Sequence, residues 1–239
     1  MDLSSIVSLF FLGLIPSFSW LVFYANEDKR HPEPKKILAL SFIAGAVVTF
    51  FVLPIQVYII DRIGSYGIDK YSFPSFLFLA GIEEIFKFLA VYAVIHKRKE
   101  FDEPLHAMIY MIASGLGFAA AENIASLFQV SGGNPLSVNV IQTIILRFMG
   151  ATLLHSLACG LVGYYWGLAF TKDGQGFILS HKREAFLIFK GIILATLLHA
   201  IFNYFIITTG PATLAIVFVV MVSFFVLGDF EKFKKTDKD

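Results

Sequence analysis

Apolar runs of about 20 residues recur along the whole of this chain, and few folds can accept that pattern. Each run is long enough to cross the hydrocarbon core of a bilayer as a helix. That core offers no water to bond the backbone, so every N–H and C=O must be satisfied within the segment. Spans are expected at about 3–24, 37–60, 73–95, 105–129, 146–170, 186–207 and 212–227. The expected fold is all-α: a polytopic membrane bundle of about seven transmembrane helices. Of the 239 residues 57% are hydrophobic and 15% charged, a balance too apolar for a soluble domain of this size. Connections are short, so residues 1–239 read as a single integral-membrane domain. The first run lacks a basic lead-in and exceeds a signal-peptide core, so it reads as a retained anchor.

Charge is sparse but patterned. The net charge of +1 gives no basic excess, so no nucleic-acid partner is expected. Lys29, Arg30, Lys35 and Lys36 cluster after the first span, Lys97, Arg98 and Lys99 after the third. Lys172, Lys182 and Arg183 follow the fifth, and Lys232, Lys234, Lys235 and Lys238 the last. The opposite loops offer Arg62 and Lys70. This asymmetry orients the chain with its N-terminus outside and its C-terminus in the cytoplasm. The lone cysteine, Cys159, excludes an internal disulfide. Gly163 and Gly167 lie one turn apart and suit close helix packing. Pro16 and Pro54 fall inside spans, where they are expected to kink the helix.

The polar residues inside the spans carry the functional information. Glu83 and Glu84 are adjacent in the middle of the third span, with Lys87 one turn on. An ionisable group at that depth costs about 2.5–3.5 kcal/mol on insertion scales, and two neighbouring carboxylates repel each other. The fourth span adds Glu122 and Asn123, the fifth His155, the sixth His199 and Asn203. Lys87 can reach either glutamate, and His199 shares a face with Asn203. Measured from the outer ends at 1.5 Å per residue, Glu122 lies about 10 Å deep, His199 about 12 Å, His155 about 13 Å and Glu83 about 15 Å. Four helices of alternating direction thus bring polar groups to one level, in the outer half of the membrane.

Each residue also has a bland reading. A lone intramembrane histidine can be a hydrogen-bonded packing residue, and Asn123 and Asn203 can be interhelical glue. Cys159 reads as packing, and Arg147 and Lys190 as side chains that snorkel to the headgroups. Jointly these readings must account for three carboxylates and two imidazoles at one depth. Chemistry explains the set better. Glu122, His155 and His199 can hold a divalent metal, most naturally zinc, with an open position for water. Glu83 or Glu84 can then serve as general base. A glutamate pair can equally activate water without metal, with a histidine and Asn203 stabilising the oxyanion. Ser156 adjoins His155 but points about 100° away, a poor nucleophile–base pair.

These residues also sit in recognisable motifs. "EEIFK" at 83–87, "FAAAEN" at 118–123, "RFMGATLLH" at 147–155 and "HAIFN" at 199–203 resemble, in order, the motifs of the PrsW family of intramembrane proteases. That family is distantly similar to the CAAX-processing proteases and to the scaffold subunit of γ-secretase. In the CAAX-processing relatives the second motif carries His where this chain has Glu122. The resemblance implies a multi-pass cell-membrane protease of a bacterium or archaeon. It also implies a membrane-protein substrate, typically a single-span anti-sigma factor cut on its extracytoplasmic side. It carries catalytic roles onto Glu83, Glu84, Lys87, Asn123 and Asn203. A non-catalytic scaffold and a proton-coupled transporter remain open beside it. Internal repeats and broken helices, common in transporters, are not evident.

The orientation makes a direct prediction. Cysteines introduced at Ser65 and Asn134 are expected to react with an impermeant thiol reagent applied outside intact cells. Labelling confined to opened membranes would reverse the topology.

Overall fold

The computed structural model describes residues 1–26, 34–173, 176–208 and 212–236. Lys29, Arg30 and Lys238, three of the basic residues used above, lie outside the described residues. The elements run α1 (Leu3–Ala25), α2 (Lys35–Ser65), α3 (Phe73–Ile95), α4 (Pro104–Val130), α5 (Val138–Met149), α6 (Ala151–Gly167), β1 (Phe170–Asp173), β2 (Gly176–Leu179), α7 (His181–Thr208) and α8 (Thr213–Thr236). Six segments among the described residues are long and apolar enough to cross a membrane: α1, α2, α4, α5 with α6, α7 and α8. At 23 residues α3 matches α1 in length, but Glu83, Glu84 and Lys87 interrupt its apolar run. The fold is an all-α membrane bundle, with large apolar side chains such as Phe50, Phe78, Phe186, Phe224 and Phe225 on its outer surface.

The fifth and last spans differ from the sequence expectation. The fifth span, expected as one helix over 146–170, begins at Val138 and breaks at Gly150. Gly150 takes φ −111° and ψ −93°, outside the helical region, and a Cβ there would meet the Leu146 carbonyl at 2.8 Å. Glycine tolerates such backbone at little steric cost. Ser137 caps the new start by accepting from the Val140 N–H. At the other end α6 stops at Gly167, and a short antiparallel hairpin pairs Phe170 with Leu179 before α7 begins. α8 also runs on to Thr236, past the apolar stretch.

α4 is the centre of the bundle. Every residue from Pro104 to Ala120 is buried. Helices α1, α2 and α6 pack directly on it, while α3 and α7 pair beside it and α8 covers α6 and α7. Small residues make this possible. A Cβ on Gly45 would run into the backbone of Ser114, and one on Gly117 into that of Phe42, so α2 and α4 cross almost backbone to backbone. Gly163 and Gly167 face the start of α4, where added Cβ atoms would lie 2.6 Å from the carbonyls of Ala107 and Pro104. In lipid, where apolar burial drives helices together only weakly, such close approach supplies the association through dispersion.

Gly163→Ala is expected to destabilise the bundle by about 1–3 kcal/mol through overpacking against α4. Gly228→Ala is the control, because nothing lies within 4 Å of a Cβ on Gly228. A lower thermal midpoint in detergent for the first variant and not the second is the outcome that supports this packing.

Candidate active site

Four helices supply one polar cluster, and Lys87 lies at its middle. The side chain is fully buried, and its Nζ donates to Glu84 Oε1 at 2.6 Å and to His155 Nδ1 at 3.0 Å. Glu83 Oε2 lies 3.7 Å away, and the ammonium sits 4.8 Å from the centre of the Phe118 ring. These contacts join α3 to α6 and α4. From α7, His199 places Nδ1 2.8 Å from Glu84 Oε1 and Nε2 3.8 Å from Glu83 Oε2. The two imidazoles meet edge to face at 5.0 Å.

Donor logic settles the histidine tautomers. An ammonium can only donate, so His155 Nδ1 must accept from Lys87. The ring proton is then on Nε2, 3.1 Å from Glu122 Oε2, and is donated to it. Glu84 can only accept when ionised, so His199 donates to it from Nδ1, and its Nε2 is turned towards Glu83. Each imidazole is thus oriented by a carboxylate, the arrangement that poises its other nitrogen for chemistry.

The glutamates are not equivalent. Glu84 Oε1 is held by Lys87 and His199 together. Glu83 Oε1 accepts from Gln56 Nε2 of α2 at 2.8 Å. The second oxygen of each, Glu83 Oε2 and Glu84 Oε2, is buried without a hydrogen bond among the described residues. Buried acceptors without partners are costly and uncommon. Glu83, Glu84, His155 and His199 each offer a ligand atom, and the four lie within 4.8 Å of one another.

Glu122 is expected to ligate metal with the two histidines; the structure places its Oε2 3.1 Å from His155 Nε2. It lies behind His155 and pairs with Arg147, whose Nη2 is 2.9 Å from Glu122 Oε2. Arg147 also donates through Nε to the side-chain oxygen of Asn123, whose amide in turn donates to Thr152 at 3.1 Å. Arg147 therefore does not snorkel to the headgroups. Its carboxylate and amide partners sit at the α5–α6 break, and a guanidinium fork is better satisfied there. Asn203, one turn past His199, is half-buried, and its side chain has no hydrogen bond among the described residues. Cys159 packs into the space left by Gly115, and Ser156 bonds to the Leu153 carbonyl and faces the Tyr24 hydroxyl.

Gln56 escapes the sequence reading. Its signal was a lone amide in an otherwise apolar span, and side-chain polarity alone does not say which neighbour it faces.

Comparison with known proteins gives the arrangement its family. The model of the PrsW family of intramembrane metalloproteases matches residues 33–228. The chain belongs to the PrsW family. A protease PrsW of Clostridioides difficile is 25% identical over 234 residues, covering 97% of this chain and 94% of that protein. Those of Oceanobacillus iheyensis and Geobacillus kaustophilus are 29% and 26% identical, covering 83% and 82% of this chain and 82% and 79% of theirs. No solved structure matches. As a PrsW-family member the chain is an intramembrane protease and a multi-pass cell-membrane protein, in contact with the bilayer.

Removing the central ammonium tests the electrostatics of the PrsW cluster. Lys87→Met is expected to destabilise the protein by about 3–5 kcal/mol, since it leaves buried carboxylates uncompensated. Adding Glu84→Gln should recover much of that loss. A double-mutant cycle on denaturant unfolding in micelles measures the coupling, and additive losses would show that the pair is not coupled.

Proposed function

We propose that this chain hydrolyses peptide bonds in single-span membrane proteins, of the anti-sigma-factor type that the family resemblance implies, with Glu83 as general base. The observation that carries this reading is the asymmetry of the two carboxylates. Glu84 Oε1 is shared by Lys87 and His199, whereas Glu83 Oε1 takes the neutral amide of Gln56, and Glu83 Oε2, without a hydrogen bond, lies 3.7 Å from Lys87 Nζ and 3.8 Å from His199 Nε2. An oxygen in that state can accept a proton from water as water attacks a carbonyl.

The other residues have separate tasks in this reading. Lys87 holds Glu84 and His155 at fixed distances and offsets their charge. Glu122 orients His155, and Arg147 and Asn123 hold Glu122 in turn. Asn203, with its amide unengaged among the described residues, is the donor for the oxyanion that forms on the scissile carbonyl. Burial beneath α4 excludes bulk water and strengthens each of these interactions.

The donor set also fits a metal. Two buried carboxylate oxygens lack hydrogen bonds, four carboxylate and imidazole ligand atoms lie within 4.8 Å of one another, and nitrogen and carboxylate oxygen are ligands that zinc accepts. Glu84 and His199 would hold zinc, with His155 joining them if Lys87 releases its Nδ1, and Glu83 would be left as the base. Zinc bound there would supply a Lewis acid for water and carbonyl. With both carboxylates ionised and Lys87 charged, one negative charge is left to attract a dication.

Glu83→Gln keeps shape and hydrogen-bonding capacity but cannot take a proton at neutral pH. It is expected to lower cleavage of a reconstituted single-span substrate by about 10²–10⁴-fold while leaving the fold intact. A chelator should abolish cleavage and added zinc restore it. An undiminished rate after demetallation would leave a glutamate mechanism without metal, and cleavage that survives Gln at both 83 and 84 would remove the assignment.

A further inference from the structure

Gln56 is on α2, a helix that carries none of the motif residues, yet it reaches the carboxylate at the heart of the site. Its Nε2 lies 2.8 Å from Glu83 Oε1 and 3.4 Å from the carbonyl oxygen of Leu79, one turn before Glu83 on α3. A primary amide has two N–H groups, and here both are directed at α3. That fixes which way the amide faces. Turned over, its oxygen would confront a carboxylate and a carbonyl, leaving three acceptors together with no proton between them.

The contact decides how Glu83 is presented. With Oε1 held by Gln56, Oε2 points into the cluster, 3.7 Å from Lys87 Nζ and 3.8 Å from His199 Nε2. Both distances are too long for a hydrogen bond. A buried carboxylate that close to an ammonium would ordinarily close the gap, as Glu84 does at 2.6 Å. Gln56 anchors the far oxygen and holds the near one off. Without that anchor Glu83 is free to turn onto Lys87 and spend the lone pair on which the reaction depends.

We propose that Gln56 is a positioning residue for Glu83: it donates to Oε1 from α2 and so keeps Oε2 out of a hydrogen bond with Lys87 and turned towards His199. This rests on the reading of Glu83 as general base. It adds α2 to the helices that build the site, so a displacement of α2 against α3 would misplace the carboxylate.

The test uses the full-length protein in proteoliposomes with a single-span substrate. Gln56→Leu removes the donor, and Gln56→His restores an N–H of similar reach. Gln56→Leu is expected to lower kcat by about 10–100-fold with KM within about threefold, and Gln56→His to recover most of the loss. A readout independent of activity is the modification of Glu83 by dicyclohexylcarbodiimide, followed by mass spectrometry with Glu84 as internal reference. Gln56→Leu should change the ratio of Glu83 to Glu84 labelling severalfold, and Gln56→His should return it to the wild-type value. An unchanged kcat with an unchanged labelling ratio would overturn the proposal. A raised KM at constant kcat would overturn it too, by placing Gln56 on the substrate. A changed ratio in a protein whose Glu83→Gln variant still cleaves would uphold the positioning and sink the general-base reading instead.

Discussion

One ammonium holds the polar interior together. Removing Lys87 Nζ from water costs several kcal/mol even after relaxation, and the surrounding lipid offers nothing in return. The structure offsets that cost with Glu84 at 2.6 Å, His155 at 3.0 Å, Glu83 at 3.7 Å and the face of Phe118 at 4.8 Å. These partners come from α3, α4 and α6, and His199 closes on Glu84 from α7. No pair of helices could satisfy Lys87 alone. The cluster therefore acts as a register device: it is satisfied in one relative placement of the helices, and a shift of one turn would leave charges exposed to hydrocarbon.

Such a device works only if the helices come close, and the glycines on α2, α4 and α6 permit this. A Cβ on Gly115 would lie 2.6 Å from Cys159 Sγ and 2.7 Å from the His155 carbonyl. The missing side chain is what lets α6 approach α4 near enough for His155 to bridge Lys87 and Glu122. Close packing and chemistry thus meet at the same turn of the helix. The burial of α4 follows from this, because a central helix contacted on every side must be narrow wherever a neighbour crosses it.

Much of this was legible in the sequence, for identifiable reasons. Span length gives the helices, since backbone hydrogen bonding in lipid permits little else. Depth gives Glu83, Glu84, Glu122, His155 and His199 as a group, because charge in hydrocarbon needs company. Gly163 and Gly167 signal a close helix contact by their one-turn spacing, and the structure supplies α4 as the partner. The break at Gly150 was not legible. An apolar run looks the same whether or not it bends, and one glycine is common in straight membrane helices. The partners of Glu122 were hidden for a related reason. Depth orders groups along the membrane normal but says nothing about which way they face, so Arg147 reads as a headgroup residue although a carboxylate and an amide lie within its reach. Gln56 was hidden for the same reason, its direction being set by where α2 crosses α3.

Direction also separates the two glutamates that the sequence sets side by side. Successive residues on a helix point about 100° apart. Adjacent carboxylates on α3 therefore take their hydrogen bonds from different neighbours, Glu84 from Lys87 and His199 and Glu83 from Gln56 on α2. A shared proton between the two is not the economical way to relieve their repulsion here, because each has its own donors. The pair is better understood as a division of labour. Glu84 spends an oxygen on the ammonium and so fixes the electrostatics of the site. Glu83, held at 3.7 Å from that ammonium, beyond hydrogen-bond reach, presents the oxygen that the hydrolytic reading uses. The two positions are therefore not equivalent, although the same residue stands at both.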